Sequence, residues 1–103
     1  MTGRNDTLHG GFWGYDRRPW AVVSNSSRSI SFSLADTDGS EGFPGSLAVT
    51  VTYTLEDGDG SADAALGRWS LDYAAVAGPV ETVCALSNHA YWNLNVRGAG
   101  EES

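Results

Sequence analysis

From residue 47 to residue 55, Leu47, Val49, Val51, Tyr53 and Leu55 fall on one side of an extended chain, and Ala48, Thr50, Thr52 and Thr54 fall on the other. Alternation with a period of two predicts a strand with one buried face. Ile30, Phe32 and Leu34 alternate with serines over residues 29–34, and Trp69, Leu71 and Tyr73 repeat the pattern over residues 68–73. Residues 20–24 and 82–86 are apolar runs of the kind that suits strands covered on both faces. No stretch carries helical spacing, so no helix longer than two turns is expected. Clusters of Gly, Asp, Ser and Pro at residues 25–28, 36–45 and 57–62 mark the turns between strands. The pattern predicts an all-β chain with mostly antiparallel strands.

Five such strands, with no amphipathic helix to lie over them, leave open edges and one bare sheet surface. The expectation is therefore that residues 1–103 are part of a single larger β-sandwich domain whose N- and C-terminal portions lie outside this chain. At 103 residues it is one domain at most.

Charge and cysteine content narrow the function classes. Thirteen acidic residues stand against six arginines, at positions 4, 17, 18, 28, 68 and 97, for a formal charge of -7. No basic face is available to displace counterions from a nucleic acid backbone, so nucleic acid is not an expected partner. A neutral sugar, held by hydrogen bonds and apolar stacking, fits this balance. The lone Cys84 can form no internal disulfide, and within the apolar run 82–86 it reads as a small buried hydrophobe. No segment is long and apolar enough to span a bilayer, and residues 1–10 lack the apolar run of a signal peptide, which points to a cytoplasmic protein with no membrane partner. The glycosylation-like triplets Asn5-Asp6-Thr7 and Asn25-Ser26-Ser27 read as chance matches.

Three segments carry chemistry. The first runs Asn5-Asp6-Thr7-Leu8-His9-Gly10-Gly11-Phe12-Trp13-Gly14-Tyr15-Asp16-Arg17-Arg18-Pro19-Trp20. The second is Asp38-Gly39-Ser40-Glu41-Gly42-Phe43-Pro44-Gly45, followed by the strand at residues 47–55. The third is Ser87-Asn88-His89-Ala90-Tyr91-Trp92-Asn93-Leu94. Taken alone, His9 before two glycines is no more than a glycine turn, the second segment is a turn before a strand, and His89 could be a hydrogen-bonded core histidine. Together, in this order and spacing, they resemble the aldose 1-epimerase family. The first is similar to its Leu-His-Gly-Gly run with Gly-aromatic-Asp-basic-basic-x-Trp. The second is similar to its Asp-Gly-x-x-Gly-aromatic-Pro-Gly loop. The third is similar to its Thr-Asn-His-x-Tyr-Phe-Asn-Leu signature, with Ser87 in place of Thr and Trp92 in place of Phe.

The resemblance implies a galactose mutarotase-like β-sandwich that interconverts the α and β anomers of aldohexoses such as galactose or glucose, with no metal or organic cofactor. Ring opening removes the proton of the anomeric hydroxyl and gives one to the ring oxygen, and an imidazole suits the second task at neutral pH. On this basis His89 is the expected catalytic acid, His9 a substrate-binding group that polarises the sugar, and Tyr91 a residue lining the site. His9 and His89 are then expected on one side of the sheet, within reach of one sugar ring. The family's general base is a glutamate with no counterpart among these residues. Glu41, Glu56 and Glu81 read as solvated surface carboxylates, as does the acidic run 57–63. A chain without its base is expected to be weakly active or inactive alone, because general base catalysis is typically worth about 10² to 10⁴ in rate. Two other readings rank below an epimerase. One is a non-catalytic carbohydrate-binding module of the same fold. The other is a phosphosugar epimerase, which needs cationic groups for its phosphate and has a first motif unlike residues 10–18.

Overall fold

The computed structural model describes residues 7–61 and 67–92. The triplet at residues 5–7, the end of the acidic run, Asn93, Leu94 and the arginines at 4 and 97 therefore lie wholly or partly outside the described residues. Four strands form one antiparallel sheet: β1 (Ala21–Asn25), β2 (Ser29–Asp36), β3 (Leu47–Asp57) and β4 (Gly67–Ala77), in the order β1-β2-β3-β4. The one helical element among the described residues is a 3-10 turn at Ser40–Gly42. The expectation of an all-β, antiparallel chain is met.

The alternation determines which face is apolar. Val51 stands opposite Phe32 on one side and Tyr73 on the other, while Thr52 stands opposite Ser31 and Asp72. One face therefore carries the aliphatic and aromatic side chains and the other the serines and threonines, where Ser31 and Thr52 hydrogen-bond at 2.8 Å. Leu34, Leu47, Val49 and Val51 are buried, Val49 almost completely at 1% exposure. The cover over the apolar face comes from outside the sheet: Tyr15 and Trp20 from the segment before β1, and Leu86 from the segment after β4, pack against this core. The radius of gyration is 18.5 Å, against about 13 Å for a compact globule of this length. The described residues thus form one sheet with two segments laid over its apolar face, as part of a β-sandwich does.

Three sequence expectations are corrected. The run at residues 82–86 forms no strand: it has no ladder partner among the described residues, and it meets the sheet through Leu86 on the core. Cys84 is exposed rather than buried, for the same reason. Residues 20–24 are not covered on both faces: β1 is an edge strand exposed along its whole length, and Trp20 lies before it, donating from Nε1 to the Tyr15 carbonyl at 2.9 Å. Hydrophobic character alone could not distinguish a strand awaiting a second layer from one that has it. β4 is also longer than its alternation suggested, ending at Ala77 instead of residue 73. Its alanine-rich end is drawn into the sheet by register pairing with β3, from Leu47 opposite Ala77 to Asp57 opposite Gly67.

Candidate functional site

The segments before β1 and after β4 meet above the apolar face and enclose an open hollow of about 860 Å³. Val51, Tyr53 and Tyr73 form its floor, and His9 and His89 both line it. Their ring centroids are 5.7 Å apart with the planes at 51°, although the two residues come from opposite ends of the described chain. The proximity expected of two groups serving one sugar ring is therefore present. Tyr91 stacks at a tilt on His89 with centroids 5.0 Å apart, but it is 88% exposed and is not among the residues lining the hollow.

Each histidine is held by its own local structure. His9 has a left-handed backbone, φ 55, and is followed by Gly10 at φ 79 and Gly11 at φ 111. A non-glycine residue in this region costs roughly 1–3 kcal/mol and persists only where its surroundings over-determine it. Downstream of His9, the backbone N–H groups of Phe12 and Trp13 donate to the two carboxylate oxygens of Glu41, at 2.9 and 3.0 Å. Glu41 is thus half-buried and bonded, which corrects its reading as a free surface carboxylate. Glu56 lies 3.8 Å from Arg68 at the surface, and Glu81 is exposed. Beside His89, the Asn88 side chain accepts from the Ala90 N–H at 2.8 Å, shaping the backbone around the imidazole.

A second polar cluster ties the first segment to the sheet. Tyr15 Oη donates to Asp36 Oδ2 at 2.8 Å, and Arg18 pairs with the other oxygen of Asp36 while donating from Nη2 to the Ala35 carbonyl at 2.9 Å. Burial, with the hydrogen bond and charge of Asp36 added to it, pushes the Tyr15 phenol up to about 12. Burial also opposes ionisation of Asp36, but hydrogen bonds from Arg18, Tyr15 and Ser40 outweigh it and hold its carboxyl below the usual range. Neither this cluster nor the Glu41 clamp was legible as periodicity. The only available hint was a basic pair beside an aromatic and a carboxylate set between glycines.

Comparison with known proteins bears on the same residues. The family model described as aldose 1-epimerase matches residues 2–102. The aldose 1-epimerase of Escherichia coli (strain K12) is 39% identical over 98 residues, which cover 93% of this chain and 24% of that protein. The galactose mutarotase of Rattus norvegicus is 40% identical over 96 residues, covering 91% of this chain and 24% of that one. The bifunctional protein GAL10 of Pachysolen tannophilus is 34% identical over 99 residues, 85% of this chain and 14% of its own length. The chain thus spans about a quarter, or less, of the length of these curated relatives. No solved structure matches it.

Proposed function

Because the chain belongs to the aldose 1-epimerase family, we propose that its hollow receives the ring of an aldohexose such as galactose or glucose and that His89 donates the proton that opens it. The observation that carries this reading is the 5.7 Å approach of His9 and His89 over an open, partly aromatic hollow. The apolar floor takes a sugar's C–H face, and the imidazoles supply hydrogen-bonding groups directed at its oxygens. In this reading His9 binds and polarises the sugar, and Tyr91 closes the rim against His89.

The reaction passes through the open aldehyde. The anomeric hydroxyl loses its proton as the bond from the anomeric carbon to the ring oxygen breaks, and the ring oxygen takes a proton from His89. Rotation about the first carbon–carbon bond and reclosure give either anomer, with His89 recovering its proton from the ring-oxygen hydroxyl and the base returning its proton to the anomeric oxygen. The acceptor for the anomeric proton is a glutamate carried outside these 103 residues, in the part of the domain that the chain does not span. A cytoplasmic setting accompanies this reading.

The test replaces the aligned quarter of the Escherichia coli enzyme with this chain and follows the optical rotation of freshly dissolved galactose. The chimera is expected to accelerate mutarotation and to lose that gain on His89→Ala, while the 103-residue chain alone does not exceed buffer. Galactose binding by an inactive chimera would favour the carbohydrate-binding module.

A further inference from the structure

We propose that Glu41 is a positioning residue for His9: its carboxylate, bound by two consecutive backbone N–H groups, holds the left-handed turn that presents the imidazole to the hollow. This rests on the sugar site proposed above and assigns a task to a residue that does not line that site. Phe12 and Trp13 follow the turn directly, and their N–H groups converge on the two oxygens of Glu41 at 2.9 and 3.0 Å. Adjacent backbone N–H groups of this kind make an anion-binding concavity. Here the anion is a side chain from a loop 28 and 29 residues away.

Two further features indicate that the contact is built for this purpose. A Cβ on Gly11 would collide with Glu41 Oε2, so the close approach of the carboxylate depends on glycine at that position. Glu41 itself has φ 51, a strained conformation for a residue with a Cβ, inside the 3-10 turn. Its loop is braced in turn, since Asp38 Oδ1 accepts the Gly45 N–H at 2.6 Å and the Gly39 N–H donates to the Phe43 carbonyl at 2.9 Å. Strain on both sides of one contact, the His9 turn and Glu41, is expected where surrounding structure fixes a functional group. The chain of support runs from the start of β3, through the loop, to Glu41, to the backbone of residues 12 and 13, and so to His9.

The experiment uses the isotopically labelled 103-residue chain with Glu41→Ala, Glu41→Gln and Gly11→Ala, and Glu81→Gln as a control on an exposed carboxylate. The first readout is the ring-to-ring nuclear Overhauser effect between His9 and His89. Glu41→Ala and Gly11→Ala are expected to abolish it while the effect between His89 and Tyr91 and the thermal midpoint of the sheet stay near wild type. The second readout is galactose affinity by titration. Glu41→Ala is expected to weaken it about tenfold, and Glu41→Gln, which keeps one acceptor, about threefold or less. In a His9→Ala background Glu41→Ala costs nothing more, whereas in a His89→Ala background it keeps its full effect. An intact His9 to His89 effect in Glu41→Ala, or an undiminished loss of affinity on the His9→Ala background, overturns the proposal. If the wild-type chain takes up no galactose, the affinity arm passes to the chimera described above, where failure to bind galactose sinks the sugar reading, and the ring-to-ring effect still decides whether Glu41 positions His9.

Discussion

Within the sheet, β3 is bonded along its length to β2 on one side and β4 on the other. Residues 7–20 and 78–92, which carry both histidines, have no ladder partner among the described residues. They are fixed at isolated points: the Tyr15, Arg18 and Asp36 cluster, the Glu41 clamp, Leu86 on the core, the Gly78 N–H donating to the Ser46 carbonyl at 2.9 Å, and Trp92 edge-on to Trp69 at 4.9 Å. The sheet is redundant, since many small contributions support each residue. The site is not, because each covering segment hangs on a few anchors and removing one loosens the stretch of chain beside it. The difference teaches that substitutions here divide into those that unfold the scaffold and those that undo the site while leaving the scaffold standing.

The largest effect is expected from breaking the scaffold itself. Val49→Asp places an unpaired carboxylate at the best-buried position of the core, a cost of several kcal/mol, about 4 or more. Loss of the β signal in circular dichroism at room temperature, together with loss of the contact between His9 and His89, is the expected result. Sheet signal that survives this change would mean the sheet is no more cooperative than its covering segments.

Next comes the polar anchor of the first segment. Asp36→Ala removes the acceptor shared by Tyr15 and Arg18 and is expected to cost about 2–3 kcal/mol, since hydrogen bonds to a charged group are the strong ones. The same anchor predicts the response to pH. The Tyr15 phenol is raised from 10.0 to about 12, so its contribution is complete below pH 10 and is lost as pH climbs from there through about 12. The Asp36 carboxyl is lowered, so its contribution is complete above its unfolded value of 3.8 and is lost as pH falls through the depressed folded value. Thermal midpoints measured across both ranges check the two limbs; Asp36→Ala is expected to abolish the acid limb and to reduce the alkaline one, whose largest cause is the burial of Tyr15.

The smallest effect on stability, with a distinct effect on the site, is expected at Trp92. Trp92→Ala removes an aromatic pair worth about 0.5–1.5 kcal/mol and frees the end of the segment bearing His89. The thermal midpoint is expected to move little while the proximity of the two imidazoles is lost, as read by the same ring-to-ring effect. A change confined to the midpoint would show that Leu86 alone holds that segment.

The same division separates what the sequence made legible from what it did not. Three of the four strands were marked by alternation, because a sheet with one buried face imposes a period of two on Leu47, Val49 and Val51 whatever else surrounds it. β1 was placed within a residue at its start, but its covering was misjudged. The run at residues 82–86 was read as a strand because its apolar character is the same whether it pairs with a neighbour or lies across a sheet. That Cys84 is exposed follows from the same ambiguity. The pairing of His9 with His89 came from the family resemblance and not from any local pattern. Glu41 could not be found in advance, since its partners are backbone N–H groups, which every residue except proline carries and no sequence position advertises.

The order β1-β2-β3-β4 also makes every ladder of the sheet a contact between strands adjacent in the chain. Each strand pairs with its neighbour along the chain, so every step closes a short loop and the sheet can form hairpin by hairpin. The histidines belong to the two segments that flank this sheet, and their 5.7 Å approach is a long-range contact that exists only once a floor is there to receive both. Opening of the hollow therefore needs only the two flanking segments to move, and it leaves every ladder of the sheet in place.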